Sequence, residues 1–288
     1  MSTAPWPAPA KLNLFLHVLG RRADGYHEIQ TAFQLLDLAD SLSISPRADG
    51  AIRRPLGPPQ VAEPDDLCVR AARRLQAEAR PGSGAEIHLR KRIPVQAGLG
   101  GGSSDAATTL VALNEIWALR YDLERLARLG RELGADVPFF VLGQSAWGEG
   151  VGERLTPVGL PPRYFAVLWP GLGVATAEVF QAPELTRNSP KTTIRGFLKA
   201  GGRNDCQAVV AARHPAVAAA LDWLGQRGEA RLTGTGGCVF AAFGDERSAR
   251  AALDGLPAGW KGYVARGLDR SPLHERLAAE RRARGGND

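Results

Sequence analysis

A glycine-dense segment, PVQAGLGGGSSDAAT, occupies Pro94 to Thr108 and runs directly into apolar residues at helical spacing. Four glycines within it lack a Cβ, so the backbone can adopt positive φ and point several N–H groups at one ligand. Behind them, Ser103, Ser104 or Asp105 is placed to cap a helix that we predict from Ser104 to Trp117. The unpaired N–H groups of its first turn and the positive end of its dipole attract anions. The segment therefore predicts a phosphate-binding loop.

The Ser104 hydroxyl at the end of this loop is a predicted Mg²⁺ ligand. A flexible linker would explain the glycines but not the capped helix that follows them. The Walker motif G-x-x-x-x-G-K-[ST] is absent, and Ser103 takes the third glycine position of a dinucleotide-binding G-x-G-x-x-G. Neither a P-loop NTPase nor a Rossmann oxidoreductase is indicated. The residues that we assign to the phosphates are Pro94, Val95, Gln96, Ala97, Gly98, Leu99, Gly100, Gly101, Gly102, Ser103 and Ser104.

The loop resembles that of the GHMP kinases, which reads P-x-x-x-G-L-G-S-S-A. Further blocks along the chain resemble the same family and occur in the same order. One departure is Gln96-Ala97, which stands where two more glycines are expected, so the loop should be less permissive at its start. The other similar blocks are PAPAKLNLFLHVLGRRADGYHEI (Pro7 to Ile29), GADVPFF (Gly134 to Phe140), EGVGE (Glu149 to Glu153), NDCQ (Asn204 to Gln207) and RLTGTGGCVFA (Arg231 to Ala241).

The resemblance implies an ATP- and Mg²⁺-dependent kinase of a small alcohol. It also implies an α+β fold of two domains with the active site in the cleft between them. The blocks are most similar to those GHMP kinases whose acceptor is an alcohol linked to cytidine diphosphate, in the non-mevalonate route to isoprenoid precursors. A mevalonate-type or homoserine-type kinase is the alternative within the family.

Asp136 and Lys11 are the predicted catalytic residues. By position alone, Asp136 before Val137-Pro138 would cap a helix, and Lys11 on an N-terminal strand would be a surface charge. The resemblance implies instead that Asp136 is the base that accepts the proton of the substrate hydroxyl. It places Lys11 beside Asp136, where an ammonium would stabilise the developing alkoxide or the phosphoryl oxygens. Asn13, two residues along the same strand face, would orient the substrate.

A cytosine pocket is implied by the resemblance around Tyr26 and His27, which would otherwise be assigned to an exposed turn. The Tyr26 ring and Phe180 would hold the base between them, with His27 bonding its edge; such stacking contributes about 1–3 kcal/mol per base. A second glycine loop, Thr233 to Gly237, would approach the substrate or the phosphates closely. The remaining residues implied are Val151 and Thr176 lining the cytosine pocket, Thr235 and Gly236 of the second glycine loop at the substrate, and Asp66 and Lys91 at the adenine.

Charge and composition limit the other classes of function. The formal net charge is +6, which would suit a basic RNA-binding α+β protein, the alternative from another class. However, arginine is scattered along predicted helices and is not interleaved with aromatic residues, so we expect no nucleic-acid partner. The three cysteines lie far apart without metal-type spacing. No apolar run approaches the ~18 residues of a membrane span, and the N-terminus lacks the pattern of a signal peptide. We expect a cytoplasmic protein without membrane contact, as a monomer or weak homodimer.

The length of 288 residues favours two domains, divided at the proline- and glycine-rich stretch Pro157 to Pro162. We predict an N-terminal domain over 1–158 and a C-terminal α+β domain with antiparallel strands over 159–288. The predicted strands are Lys11–Val18, Glu86–Ile93, one from Phe139, Ala146–Gly150, Tyr164–Trp169, Cys238–Phe243 and Gly262–Arg266. The predicted helices are Asp66–Arg80, one from Ser104, Asp122–Leu133, Lys191–Lys199, Asp205–Arg213, Ala216–Gln226 and Glu246–Leu253, and the tail from His274 is expected to be frayed or helical.

Overall fold

The computed structural model describes residues 4–285, in which strands and helices form an α+β fold. The strands are β1 (Trp6–Arg21), β2 (His27–Arg47), β3 (Ile52–Leu56), β4 (Gly84–Arg90), β5 (Ala146–Gly150), β6 (Arg154–Pro157), β7 (Tyr164–Trp169), β8 (Arg231–Leu232), β9 (Val239–Phe243) and β10 (Lys261–Leu268). The helices are α1 (Leu67–Gln76), α2 (Gly101–Ile116), α3 (Leu123–Arg131), α4 (Val137–Leu142), α5 (Thr176–Gln181), α6 (Ile194–Ala200), α7 (Gln207–Arg213), α8 (Pro215–Gly225), α9 (Glu246–Ala251) and α10 (Pro272–Gly285). The α+β class predicted from the sequence is confirmed.

The strand β2 organises the sheet of the first half. It pairs antiparallel with β1 along most of its length, and also with β4 and β5, while β3 adds to β4 in parallel. In the second half, β10, β7, β9 and β8 form an antiparallel sheet, as predicted. Gly267 and Leu268 of β10 pair with Leu36 and Leu35 of β2, which joins the two sheets. The first and second halves of the chain therefore share one continuous hydrogen-bonded frame.

Buried apolar side chains form separate clusters on either side of this frame. Helix α2 lies inside the first cluster and is buried on almost every side from Ser104 to Asn114, as a helix surrounded by other elements is. A middle cluster combines Leu12 of β1 and Phe165 of β7 with Leu99 of the glycine loop. Burial of Leu99 in this layer anchors the loop from behind.

Helix α10 returns to the first half of the chain. Its Leu273 and Leu277 join the same cluster as Trp6 of β1, and the helix contacts β1 and α2. The predicted division at 158/159 stays a prediction. Among the helices within 4–285, none is both long and apolar enough to cross a membrane.

Two sequence predictions are wrong, and one long strand was not predicted. The strand predicted from Phe139 is wrong, because Val137–Leu142 is a helix that ends at Gly143 in the left-handed conformation. Its short apolar run fits either element. Helix α2 begins at Gly101 with Gly100 as N-cap, so the predicted cap at Ser103, Ser104 or Asp105 is also wrong. Strand β2, 21 residues long, was not predicted, because its centre is buried on both faces and shows no alternation.

Candidate active site

A cavity of about 1010 Å³ opens between the first half of the chain and the segments 174–181 and 234–235 of the second. The glycine loop forms one end of its wall, and Tyr26, His27 and Phe180 form the other. Lys11 and Asp136 lie on the wall as well. Of the residues assigned from the sequence, all line this cavity except Leu99, Ser104 and Gly236.

The backbone of the glycine loop has the predicted conformation at two positions. Gly98 has φ +77° and Gly100 has φ +70°. A Cβ on Gly98 would lie 2.2 Å from the carbonyl oxygen of Thr233, and one on Gly100 would lie 2.7 Å from the Phe140 ring. Only glycine fits this close approach without displacing its neighbours. Backbone N–H groups at the start of α2 are thereby brought to the cavity wall.

The second glycine loop packs directly against the first. The Cys238 amide donates to the Ala97 carbonyl at 2.9 Å, and a Cβ on Gly237 would lie 2.6 Å from the Ala97 Cα. Gln96, the departure noted in the sequence, adopts φ +54° although it is not glycine. Its carbonyl accepts from the Val174 amide at 3.0 Å. The start of the loop is therefore clamped between two segments of the second half.

The position of Ser104 corrects its assignment as a Mg²⁺ ligand. Its side chain is fully buried, its Oγ has no hydrogen-bond partner among the described residues, and it lies behind the cavity wall. Ser103, one residue earlier, lines the cavity. Across residues 4–285, no group of three or more His, Cys, Asp or Glu side chains could hold a metal ion. The Ser103 hydroxyl could be one oxygen ligand of a Mg²⁺, which would take most of its remaining ligands from phosphate oxygens and water.

Lys91 belongs to a buried ion cluster beside the loop. Its Nζ lies 2.5 Å from Asp40 Oδ2 and 2.6 Å from Asp105 Oδ2. Asp40 Oδ1 also accepts from the backbone amides of Arg92 and Ile93, which lead into the loop. Burial raises the pKa of Asp105 to about 8, against the opposing effect of the Lys91 ammonium. The cluster fixes the first turn of α2 relative to β2.

The two adenine candidates line the cavity but have their charged ends engaged within the protein. Asp66 caps α1 by accepting from the Cys68 amide at 2.8 Å, and its other oxygen pairs with Arg54 Nε at 3.2 Å. The Lys91 ammonium is held by its two carboxylates. Their contribution to an adenine site is therefore as wall atoms, not as free charges.

Lys11 and Asp136 lie side by side on the cavity wall. Their charged atoms, Lys11 Nζ and Asp136 Oδ2, are 3.5 Å apart. Lys11 is buried and also donates to Asn13 Oδ1, while the Asp136 side chain is 31% exposed. Asp136 occupies the N-cap position of α4, but its carboxylate makes no capping hydrogen bond. Its carboxylate is thus available to a ligand, and the reading of Lys11 as a surface charge is wrong.

The opposite end of the cavity is made of rings. The His27 ring stacks on Phe180 with centroids 5.1 Å apart and an angle of 23° between the planes. Tyr26 is 65% exposed, so His27, rather than Tyr26, faces Phe180. Burial and the nearby arginines lower the pKa of His27, which favours the neutral imidazole. The two rings offer a flat, uncharged surface, and Arg21 lines the cavity near them.

Thr176 and Thr235 line the cavity as well. Thr176 Oγ1 and Thr235 Oγ1 are 2.9 Å apart, so α5 meets the second glycine loop through a hydroxyl pair. Gly236 is buried behind this wall, and Gly234 lines the cavity in its place. The sequence did not indicate Asp40 or Arg187 as site residues. Each is a lone charge within an unremarkable stretch, and only the fold shows what it contacts.

Comparisons with known proteins agree with this geometry. The family description "GHMP kinases N terminal domain" matches residues 66–144, and "GHMP kinases C terminal" matches residues 185–262. Two curated relatives are named 4-diphosphocytidyl-2-C-methyl-D-erythritol kinase. The one from Halorhodospira halophila is 57% identical, covering 95% of this chain and 96% of its own. The one from Thiobacillus denitrificans is 55% identical, covering 94% and 97%.

Solved structures show the same relationship. A crystal structure of 4-(cytidine 5'-diphospho)-2C-methyl-D-erythritol kinase superposes with a TM-score of 0.80 at 37% identity, covering 91% of this chain and 98% of that one. A crystal structure of mevalonate kinase superposes with a TM-score of 0.68 at 16% identity, covering 92% and 99%. The second likeness shows the fold alone.

Proposed function

This chain belongs to the 4-diphosphocytidyl-2-C-methyl-D-erythritol kinases of the GHMP kinase family, and on that basis we propose the hydroxyl that it phosphorylates and the residues that carry out the transfer. The proposed reaction transfers the γ-phosphoryl group of ATP to the 2-hydroxyl of 4-diphosphocytidyl-2-C-methyl-D-erythritol, in the non-mevalonate route to isoprenoid precursors. The observation that carries it is the Lys11–Asp136 pair, which lies in one cavity between a phosphate-type loop and the stacked His27 and Phe180 rings.

Asp136 is the proposed base. As the acceptor oxygen attacks the γ-phosphorus, its proton passes to the Asp136 carboxylate, the new O–P bond forms, and the bond to the bridging oxygen of ADP breaks. Lys11, at 3.5 Å from that carboxylate, stabilises the negative charge that develops on the acceptor oxygen and the phosphoryl oxygens in the transition state. The Ser103 hydroxyl would help to hold a Mg²⁺, which would supply neutralisation of phosphate charge. We propose direct in-line transfer without a phosphoenzyme.

Asn13 helps to hold Lys11 in this position. Its Nδ2 donates to Thr31 Oγ1 at 2.9 Å, and its backbone amide donates to Thr233 Oγ1 at 3.0 Å. Its Oδ1 accepts from Lys11, so the lysine is held from strand β1 as well as by Asp136. The ammonium is therefore fixed before substrate binds, which is what electrostatic stabilisation of a transition state requires.

The His27–Phe180 end favours a nucleobase-linked acceptor over mevalonate or homoserine. A small aliphatic acid has no ring to place against Phe180, and the Arg187 guanidinium is occupied by carbonyls and by His27. We propose a small-molecule substrate and no nucleic-acid partner.

The experiment that tests the function is ADP release by purified protein with Mg-ATP and each of three acceptors. We expect release with 4-diphosphocytidyl-2-C-methyl-D-erythritol and none above background with mevalonate or homoserine. Release with one of the other alcohols would keep a kinase but refute the cytidyl acceptor. No ADP release with any of the three acceptors would refute the proposed reaction.

A further inference from the structure

Arg187 lies in the segment after α5 and ties that segment to His27. Its Nε donates to His27 Nε2 at 3.0 Å. Its other nitrogens donate to four backbone carbonyls, and among residues 4–285 it forms no ion pair. Those carbonyls belong to Phe180 (3.0 Å), Ala182 (2.7 Å), Pro183 (3.4 Å) and Leu185 (3.1 Å). All three guanidinium nitrogens therefore donate hydrogen bonds that hold the Phe180–Leu185 turn against the imidazole.

This contact decides where His27 carries its proton. A guanidinium has donors only, so the nitrogen that faces it must be an acceptor. Nε2 is that acceptor, and a neutral ring then carries its hydrogen on Nδ1. Burial, Arg187 and Arg21 lower the pKa of His27, which keeps the ring neutral near pH 7. His27 thus has one ring N–H, on Nδ1, left for a ligand.

The proton position matters for the base. Cytosine presents an unprotonated N3, which accepts a hydrogen bond, whereas uracil carries a hydrogen on N3. A fixed Nδ1–H at the pyrimidine edge satisfies cytosine and opposes uracil, since two donors would meet. A site built to bond one partner rejects an analogue that leaves its polar group unpaired.

We propose that Arg187 is a positioning residue that sets the base selectivity of this cavity, by holding His27 as the Nδ1–H tautomer parallel to Phe180. The selectivity rests on the proposed function, because it needs the cytidine end of the substrate at His27. The tautomer itself does not, because it can be measured without substrate.

The experiment compares wild type with Arg187→Met, which removes the donor, and Arg187→Lys, which keeps one. Arg213→Met is the matched control, because Arg213 pairs with Glu184 of the same segment but makes no contact with His27. Two readouts are taken: the ratio of kcat/KM for the cytidyl alcohol to that for its uridyl analogue, and the ¹⁵N NMR signals of the His27 ring, identified among five histidines with His27→Gln.

In the wild type we expect a protonated Nδ1 and an unprotonated Nε2. In Arg187→Met we expect the ring to become Nε2–H or a mixture, and the cytidyl-to-uridyl ratio to fall about tenfold, the equivalent of one hydrogen bond. KM for ATP should not change. Arg187→Lys should retain the Nδ1–H ring and part of the ratio, and Arg213→Met should match wild type in both.

An Nε2–H ring in wild-type enzyme overturns the proposal, as does an unchanged base ratio in Arg187→Met. If Arg187→Met does not fold, an Nδ1–H ring in Arg187→Lys supports the proposal and an Nε2–H ring refutes it. A wild-type protein that ignores the cytidyl alcohol but shows an Nδ1–H ring overturns the proposed function and the selectivity, and leaves the Arg187–His27 contact standing.

Discussion

At the glycine-loop end of the cavity the wall is backbone, whereas at the His27–Phe180 end it is side chains. Gly98 and Gly100 take left-handed φ and leave no room for a Cβ, so their atoms approach a ligand directly. At the other end, a stacked imidazole and phenyl ring form the surface, and Arg187 holds them from outside. The first end suits any triphosphate, and the second suits a particular ring.

The two ends also differ in charge. Behind the glycine loop, Lys91 lies between the buried side chains of Asp40 and Asp105, and Lys11 and Asp136 form an ion pair on the cavity wall. At the ring end, His27 is held neutral and its neighbour Arg187 is satisfied by carbonyl oxygens. In the proposed function, charge would serve phosphate chemistry at one end, and ring stacking with one hydrogen bond would serve recognition at the other. Substitutions at the two ends should fail in different ways.

The largest effect is expected between the ends, at Asp136. Asp136→Asn keeps the shape of the side chain but cannot accept the substrate proton, so kcat should fall by about 10²–10⁴-fold. Affinity for ATP, measured by titration, should stay within error, because the carboxylate is not part of the glycine loop. A variant with most of its activity would remove the base assignment and leave Asp136 as a positioning group.

Gly98→Ala should damage the glycine-loop end. The left-handed φ of +77° would cost about 1–2 kcal/mol for alanine, and overlap with the Thr233 carbonyl would add about 1–3 kcal/mol. We expect a lower urea midpoint and weaker binding of ATP. Activity with the cytidyl alcohol and with its uridyl analogue should fall by the same factor. Gly102→Ala is the control, since its Cβ would lie 3.3 Å from a Leu67 methyl group and its φ is not left-handed. Equal losses in the two variants would contradict this account.

Phe180→Leu should damage the ring end alone. Loss of stacking, worth about 1–3 kcal/mol with an aromatic, should raise KM for the cytidyl alcohol about tenfold while leucine retains part of the contact. KM for ATP and kcat should be unchanged. Phe243→Leu, at the end of β9 and outside the cavity wall, controls for loss of an aromatic ring. An equal rise in KM for ATP would show that the two ends are not separable.

These differences explain what the sequence could predict. The glycine loop is encoded locally, so its positive φ values and its approach to a helix start were predicted from Pro94–Thr108 alone. The exact N-cap was not, because Gly101 and Gly102 can continue the helix as readily as the loop. The Asp40–Lys91–Asp105 cluster was missed, because a buried charge has no distinct sequence pattern when its partners lie on other elements.

The ring end needed more than local pattern. His27 and Phe180 come from opposite halves of the chain, and nothing in either neighbourhood indicates that the two rings stack. Only the family resemblance brought them together before the fold was known. It placed the cytosine between Tyr26 and Phe180 with His27 at its edge, and in the structure the His27 ring stacks on Phe180 while Tyr26 is exposed. The resemblance identified the residues at this end of the cavity, and the structure shows that the His27 and Phe180 rings are in contact.

Asp105→Asn should change the pH dependence of stability at the glycine-loop end. Burial raises the pKa of Asp105 from 3.8 to about 8, so between these values the folded chain keeps a proton that the unfolded chain releases. Stability from this group is therefore greatest at low pH and is lost as pH rises through about 8. The neutral asparagine removes that slope, on the order of 1 kcal/mol per pH unit. Urea unfolding from about pH 5 to about pH 9 measures it.

The control for that series is Asp222→Asn, at an exposed aspartate of α8. Its stability curve should run parallel to that of wild type. If Asp105→Asn also runs parallel, Asp105 is ionised throughout this range, and the Lys91 ammonium outweighs burial. The buried cluster would then be a fully charged triad, and the contrast in charge between the two ends would be larger than described above.

Gln96→Gly should have the smallest effect, and its sign tests whether the loop is strained where it departs from glycine. Left-handed φ costs a non-glycine residue about 1–2 kcal/mol, while glycine loses about 0.5–1 kcal/mol more backbone entropy on folding. The Gln96 side chain also occupies the space where a Cβ on Gly173 would lie, and that space is left empty. We expect a net gain of about 0.5 kcal/mol in urea unfolding. A loss of stability would show that the side chain clamps the loop start against the second half of the chain. The Gln96 carbonyl, which accepts from Val174, would then not be sufficient for that role.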